Sequence, residues 1–265
     1  SVILYFAYII FFLVLRFPST SASRVYGQFG DFTFNAGNNN GSGGGGVVSA
    51  DSISGPYSMT TDSAGNTYIA DTNNNRVLYF PSGSTTATRV YGQFGSFTIN
   101  AGNNNGSGGG GVVSANSLSG PRGVAVDSAD NLYIADTNNN RVLFYASGGT
   151  TPTRVYGQGG SYTSNTGNLN GVSANSLSGP YGMAVDDNDT LYIADTNNNR
   201  VLEFRDGYST ARIVFGQFGS FSSFTGNNGG VSASSLSGPY AVAVDPNGNL
   251  YTADTNNNRV LFYLR

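Results

Sequence analysis

Seven residues, DTNNNRV, occur four times in the chain, at 71–77, 136–142, 195–201 and 254–260. A carboxylate, three carboxamides and a guanidinium in that spacing could do two kinds of chemistry. Asp71, Asn73 and Asn75 imitate the opening of a D-x-N-x-N loop, whose oxygens suit Ca²⁺. Against that, Arg76 stands where such a loop carries its turn glycine, no closing Glu follows, and each loop offers one carboxylate. The other chemistry is structural. Asn and Asp tolerate a left-handed backbone and bond their own turn, so Asp71 can pair with Arg76 and tie the turn shut. The residues favour that second reading and no metal site. A further set of carboxylates, Asp62, Asp127, Asp186 and Asp245, recurs before Asp/Asn/Gly turns such as DPNGN at 245–249. These are expected to cap their turns. A metal in a central channel is the competing use, but no second type of acid or base accompanies them.

What is absent narrows the chemistry further. There is no Cys, no His and no Trp, and all twelve basic residues are Arg. The common zinc sites and every Ser–His or Cys–His nucleophile pair are therefore excluded. A net charge of −3 and an isoelectric point near 4.7 argue against nucleic acid, which is bound by neutralising phosphates. The Gly-rich runs lack the Lys and helix of a phosphate loop. The expectation is a protein with no catalytic residues and no cofactor.

These motifs lie at fixed places in a repeat. SGP begins at Ser54, Ser119, Ser178 and Ser237, and VYGQFG or a near relative follows Arg24, Arg89 and Arg154 and recurs from Val214. Each unit predicts four short strands, a to d. In the third unit they are PYGMAV (180–185), TLYIAD (190–195), RVLEF (200–204) and RIVFGQ (212–217), with period-2 alternation and turn residues between them. Repeated four-stranded antiparallel units predict an all-β fold, a β-propeller. The chain opens, after residue 23, on a strand d (24–30) and ends on a strand c (259–265). The phasing predicts four blades, the last closed by the N-terminal strand.

The unit AVDSADNLYIADTNNNRVLFY (125–145) resembles the NHL repeat, and the likeness recurs in all four units over 24–265. The resemblance implies a β-propeller of NHL-like repeats. It leaves function open, since the family includes sensors, RNA binders, scaffolds and lyases. Its lyases are described as using His-bound zinc, which this chain cannot supply.

The segments between GQFG and SGP, 31–53, 96–118, 161–177 and 220–236, are 23, 23, 17 and 17 residues long. Loops of that length are uncommon unless functional or disordered. Each ends in Ile53, Leu118, Leu177 or Leu236, an apolar plug expected between blades. In a meander these inserts and the DTNNN turns emerge on one face. That face predicts binding residues Asn73, Asn74, Asn138, Asn139, Asn197, Asn198, Asn256 and Asn257, with the nearby aromatics Phe32, Phe97, Tyr162 and Phe221. An uncharged, amide-rich face with aromatics suits a glycan or protein partner, or self-association. A sensing domain of a larger secreted protein and a metal-dependent propeller enzyme are the alternatives.

Residues 2–15, VILYFAYIIFFLVL, form an unbroken apolar run followed by Arg16, Pro18 and STSAS. As a helix it would span about 21 Å, short of a ~30 Å bilayer core. Length and flanks fit a signal-peptide-like segment over 1–23, hence a secreted protein with no stable membrane span once it is removed. A retained anchor or assembly element is the other reading. Sequons at Asn40, Asn105 and Asn188 are glycosylation candidates.

Overall fold

Each SGP is followed by a strand that begins at its proline, and from there the chain runs outward in short antiparallel strands. The computed structural model describes residues 21–38 and 46–265. The apolar run and the sequon at Asn40 lie outside the described residues, as does most of the signal-like segment 1–23. The first unit holds β1 (Pro56–Thr61), β2 (Thr67–Asp71), β3 (Arg76–Phe80) and β4 (Arg89–Tyr91). The second holds β5 (Pro121–Val126), β6 (Leu132–Asp136), β7 (Arg141–Tyr145) and β8 (Arg154–Tyr156). The third holds β9 (Pro180–Val185), β10 (Leu191–Asp195), β11 (Arg200–Phe204) and β12 (Ile213–Phe215). The last has β13 (Pro239–Val244), β14 (Leu250–Asp254) and β15 (Arg259–Tyr263). The result is three four-stranded sheets and one three-stranded sheet, all in simple meander order.

The strands of the second sheet are apolar on both sides because that sheet is covered on both faces. Tyr133, Ala135, Val142 and Phe144 of the second sheet face the third, where Leu191, Ile193, Leu202 and Phe204 meet them. The alternate residues Leu132, Ile134, Leu143 and Tyr145 face back toward Tyr68, Ala70 and Val77 of the first. The plugs are where the sequence places them: Leu118, Leu177 and Leu236 are fully enclosed between sheets. The inner strands make neighbours of successive units, β1 beside β5, β5 beside β9 and β9 beside β13.

The N-terminal segment departs from the expected closure. Arg24–Tyr26 forms no strand, and Gln28–Gly30 is a single 3₁₀ turn. Tyr26 lies 5.0 Å from the Phe80 ring of the first sheet, as Tyr91 lies 5.1 Å from Tyr145 and Tyr156 from Phe204. The segment thus takes the position of a strand d ahead of the first sheet. The last sheet, at the far end of the series, has no fourth strand among the described residues. Its outward side chains Val260 and Phe262 are 66% and 51% exposed. Pairing across the series requires the ring to bend back on itself, and the angle between packed sheets sets that bend.

Candidate functional site on the loop face

The geometry gives each letter of DTNNNR a separate role. Asp71 is buried and accepts from the Ser54 N–H (2.8 Å), the Asn74 amide (2.8 Å) and Arg76 Nε (2.7 Å). Thr72 donates to the Pro121 carbonyl of the next unit at 2.7 Å. Asn73 points outward. Asn74 turns inward and exchanges both amide bonds with Asn38 of the insert. Asn75 takes the left-handed conformation (φ 54°). It accepts from the Gly120 N–H of the next unit and donates to Asn100 of the insert. Arg76 completes the lock with bonds to the carbonyls of Phe97, Ser49 and Ser52. The second and third units repeat this arrangement through Asp136–Arg141 and Asp195–Arg200, each pair at 2.7 Å with no side-chain exposure.

Burial pushes the Asp71, Asp136 and Asp195 carboxyls up from the usual range, and the facing guanidinium and donated hydrogen bonds oppose that rise. A cation at this carboxylate would have to displace a guanidinium already in contact with it. The carboxylates before the a–b turns are engaged in the same way. Asp127 accepts from the Ala129 and Asn131 N–H groups, the Asn131 side chain and the Tyr133 hydroxyl. Among the described residues, no three acidic groups gather at one point.

The expected binding residues divide by orientation. Asn73, Asn138, Asn197 and Asn256 are exposed on the loop face. Asn74, Asn139 and Asn198 are buried, and Asn257 is half-buried; all four hold an insert asparagine, Asn38, Asn103, Asn168 or Asn227. Among the aromatics, Phe32 is exposed, whereas Phe97, Tyr162 and Phe221 pack partly into the core. Asn105 and Asn188 are both exposed.

Two features of this face were not anticipated. Phe29, Phe94 and Phe218, the aromatics of GQFG, adopt φ near +50° and are exposed. The left-handed region is costly for a bulky side chain, about 1 kcal/mol or more, and such strain concentrates at functional positions. The insert backbone passes beside these rings at Gly106, next to Phe94, and at Gly229, next to Phe218, both glycines at positive φ. Phe94 borders an open groove of about 330 Å³ along β4, lined by Thr88, Phe97, Asn116 and Thr151. A second groove of about 220 Å³ lies beside Phe218. The second unit has Gly159 at this position. The signal in the sequence was the pair of glycines flanking each Phe.

The other feature lies at the inner end of the face. The residue after SGP is Tyr57, Arg122, Tyr181 and Tyr240 in successive units, one departure in an otherwise constant position. Arg122 lies over the Tyr57 and Tyr181 rings at 5.2 and 4.5 Å and donates to the Tyr181 hydroxyl. Tyr181 and Tyr240 are 4.5 Å apart. The arrangement sets one cation against two rings, Tyr57 and Tyr181, which stabilises it by cation–π attraction.

Residues 118–144, 177–204 and 236–262 match the model of the NHL repeat. A search of curated proteins returns no match. Among solved structures, a streptogramin B lyase structure is similar at 16% identity, over 80% of this chain and 55% of that one, with a TM-score of 0.46. Kuenenia stuttgartiensis hydrazine synthase is similar at 14% identity (78% and 44% covered, TM-score 0.49). The WD40 β-propeller domain of Doa1 is similar at 11% identity (81% and 52% covered, TM-score 0.48). The chain spans about half the length of the structures it matches. No helix among the described residues is long and apolar enough to cross a membrane.

Proposed function

We propose that this chain, three segments of which match the NHL repeat and whose sheets are four- and three-stranded antiparallel meanders, is a non-catalytic binding or structural module. It acts outside the cell through its polar, nearly uncharged loop face. Its partner is a glycan or an uncharged polar segment of protein. The observation that carries this reading is the exposed, left-handed Phe94 and Phe218, each beside a shallow groove. The repeat's carboxylates and guanidiniums are meanwhile engaged inside the turns. Rings flanked by hydroxyls and amides bind neutral polar ligands by stacking and hydrogen bonding, without long-range charge. Export is supported by the apolar run followed by small residues and by sequons at Asn105 and Asn188 in exposed turns.

The test is a glycan array followed by calorimetry on the parent chain and on the double variant Phe94→Gly/Phe218→Gly, which copies Gly159. Saturable binding that the variant loses while its melting temperature holds supports the proposal. No binding to any neutral glycan and no pull-down partner sensitive to the variant rejects it.

A further inference from the structure

We propose that the groove along β4 binds the carboxylate of an acidic sugar, with Arg89 pairing the charge and Phe94 stacking on the sugar ring. The inference rests on the reading of that groove as a glycan site and adds the charge its ligand carries.

Arg89 and Arg154 hold the same place in successive units and are set up alike. Each opens its outer strand, β4 or β8. The Arg89 guanidinium lies 4.5 Å over the Tyr79 ring and donates to the Tyr91 hydroxyl at 3.3 Å. That of Arg154 lies 4.7 Å over the Phe144 ring and donates to the Tyr156 hydroxyl at 3.0 Å. The two differ in counter-charge. Arg154 faces the carboxylate of Asp206, 3.9 Å away in the turn between β11 and β12 of the next unit. The matching position in the turn between β7 and β8, which lies ahead of Arg89, is Ser147. Among the described residues no carboxylate pairs with Arg89, and the residues outside that range include no Asp or Glu. A guanidinium stays charged at any working pH, so the first unit keeps one positive charge that the second unit neutralises internally.

The free part of that guanidinium is the part suited to a carboxylate. Within the described residues only Nη1 is engaged. The remaining edge, Nε and Nη2, offers two parallel N–H donors, the arrangement in which Arg takes a carboxylate. Arg89 also lines a groove of about 330 Å³, at the small end of ligand pockets. Thr88, Thr150, Thr151 and Asn116 line it too, with hydroxyls and an amide, and the exposed Phe94 ring borders it. A sugar supplies the complement of each: an apolar ring face for the aromatic and hydroxyls for the threonines and the asparagine. A uronic acid adds the planar carboxylate, which does for Arg89 what Asp206 does for Arg154.

NMR titration of the full chain at pH 7, following the Arg89 Nε–H signal and the backbone, separates the contributions. The probes are methyl β-D-glucuronide, methyl β-D-glucoside and acetate. The glucuronide should bind at least about fivefold tighter than the glucoside and shift the Nε–H signal, and that margin should shrink as salt rises. Ser147→Asp, at an exposed position, gives Arg89 the counter-charge that Arg154 already has. It should remove the margin while the melting temperature holds, and Arg89→Gln should remove it as well. A glucuronide that binds no tighter than the glucoside overturns the proposal and leaves the glycan reading of the groove standing. A margin that survives both variants overturns it too, since the carboxylate would then sit elsewhere. So does acetate that matches the glucuronide, which would mark an ion site with no part for the sugar.

Discussion

Asp136→Asn is the sharpest test of the reading that DTNNNR is an internal lock. Asp136 and Arg141 are fully enclosed, and among the described residues the carboxylate is the one counter-charge paired with the guanidinium. With Asn at 136, Arg141 keeps its bonds to the carbonyls of Tyr162, Ser114 and Ser117 but remains a buried, uncompensated cation. Breaking such a pair from one side costs about 3–5 kcal/mol. Asp254→Asn in the last unit is the internal control. There Arg259 is one-quarter exposed and bonds to the Ser232 and Ser235 carbonyls, so water replaces part of the lost interaction and the cost falls to about 1–3 kcal/mol. Urea unfolding followed by tyrosine fluorescence reads both, since the chain has 17 Tyr and no Trp. With a slope near 2 kcal/mol per molar, the midpoint should drop by about 1.5–2.5 M for Asp136→Asn and by roughly half that for Asp254→Asn. The double variant Asp136→Asn/Arg141→Gln should cost less than the sum of its singles. Equal shifts for the two aspartates, or a shift under about 1 kcal/mol for Asp136→Asn, would refute the lock.

Gly123→Ala should prevent normal folding, because its Cβ would lie 2.2 Å from the Tyr181 backbone carbonyl on β9; loss of soluble monomer or a collapsed melting temperature checks it. Phe94→Gly should leave stability within about 1 kcal/mol of the parent, as relief of the left-handed strain offsets the lost ring contact; thermal melting decides this. Burial pushes Tyr192 and Tyr263 up to about 12. A folded value raised above the unfolded ~10 gives stability that is present below pH 10 and lost as pH rises toward 12. Absorbance at 295 nm should therefore show a late tyrosine fraction ionising together with unfolding. Asp130, held below the usual carboxylate range by the Ser63 N–H and hydroxyl that it accepts, should show the opposite sign. Its bridge between the first two units persists above about pH 4 and loosens as pH falls through the depressed value, which a carboxyl chemical-shift titration of Asp130 would reveal.

How much of this was legible in the sequence varies with the range of the interaction. The alternation in TLYIAD and RVLEF became β10 and β11 because each residue's side is a local property of an extended chain. The plugs at Leu118, Leu177 and Leu236 followed from an apolar residue just ahead of each SGP. The orientation of three consecutive asparagines was not legible, since type and hydropathy are the same in all three. A single 3₁₀ turn ending in a left-handed Asn75 decides that Asn73 faces water while Asn74 faces the lock. Phe94 and Phe97 were equally ambiguous, and the backbone sign at Phe94 separates them. The position of Arg24–Tyr26 was the least accessible. It depends on how far successive sheets rotate, which is fixed by packing between whole faces and leaves no period in the sequence.

The repeat itself limits where function can reside. A residue that recurs in every unit and engages its own turn or the next unit satisfies a demand that every unit has, as Asp71 and Arg76 do. Recognition of a partner must break that equivalence, because a partner meets the face as a whole and not one unit at a time. Several departures lie on the loop face. They are Arg122 in place of Tyr at the inner end, Gly159 in place of Phe beside a groove position, and two inserts longer than the others. Arg122 also puts positive charge near the centre of a face otherwise nearly neutral. A partner that carries one acceptor-rich group flanked by neutral polar surface would find its complement there. Arg122→Tyr restores the equivalence of the four units and should abolish the preference while leaving the fold intact.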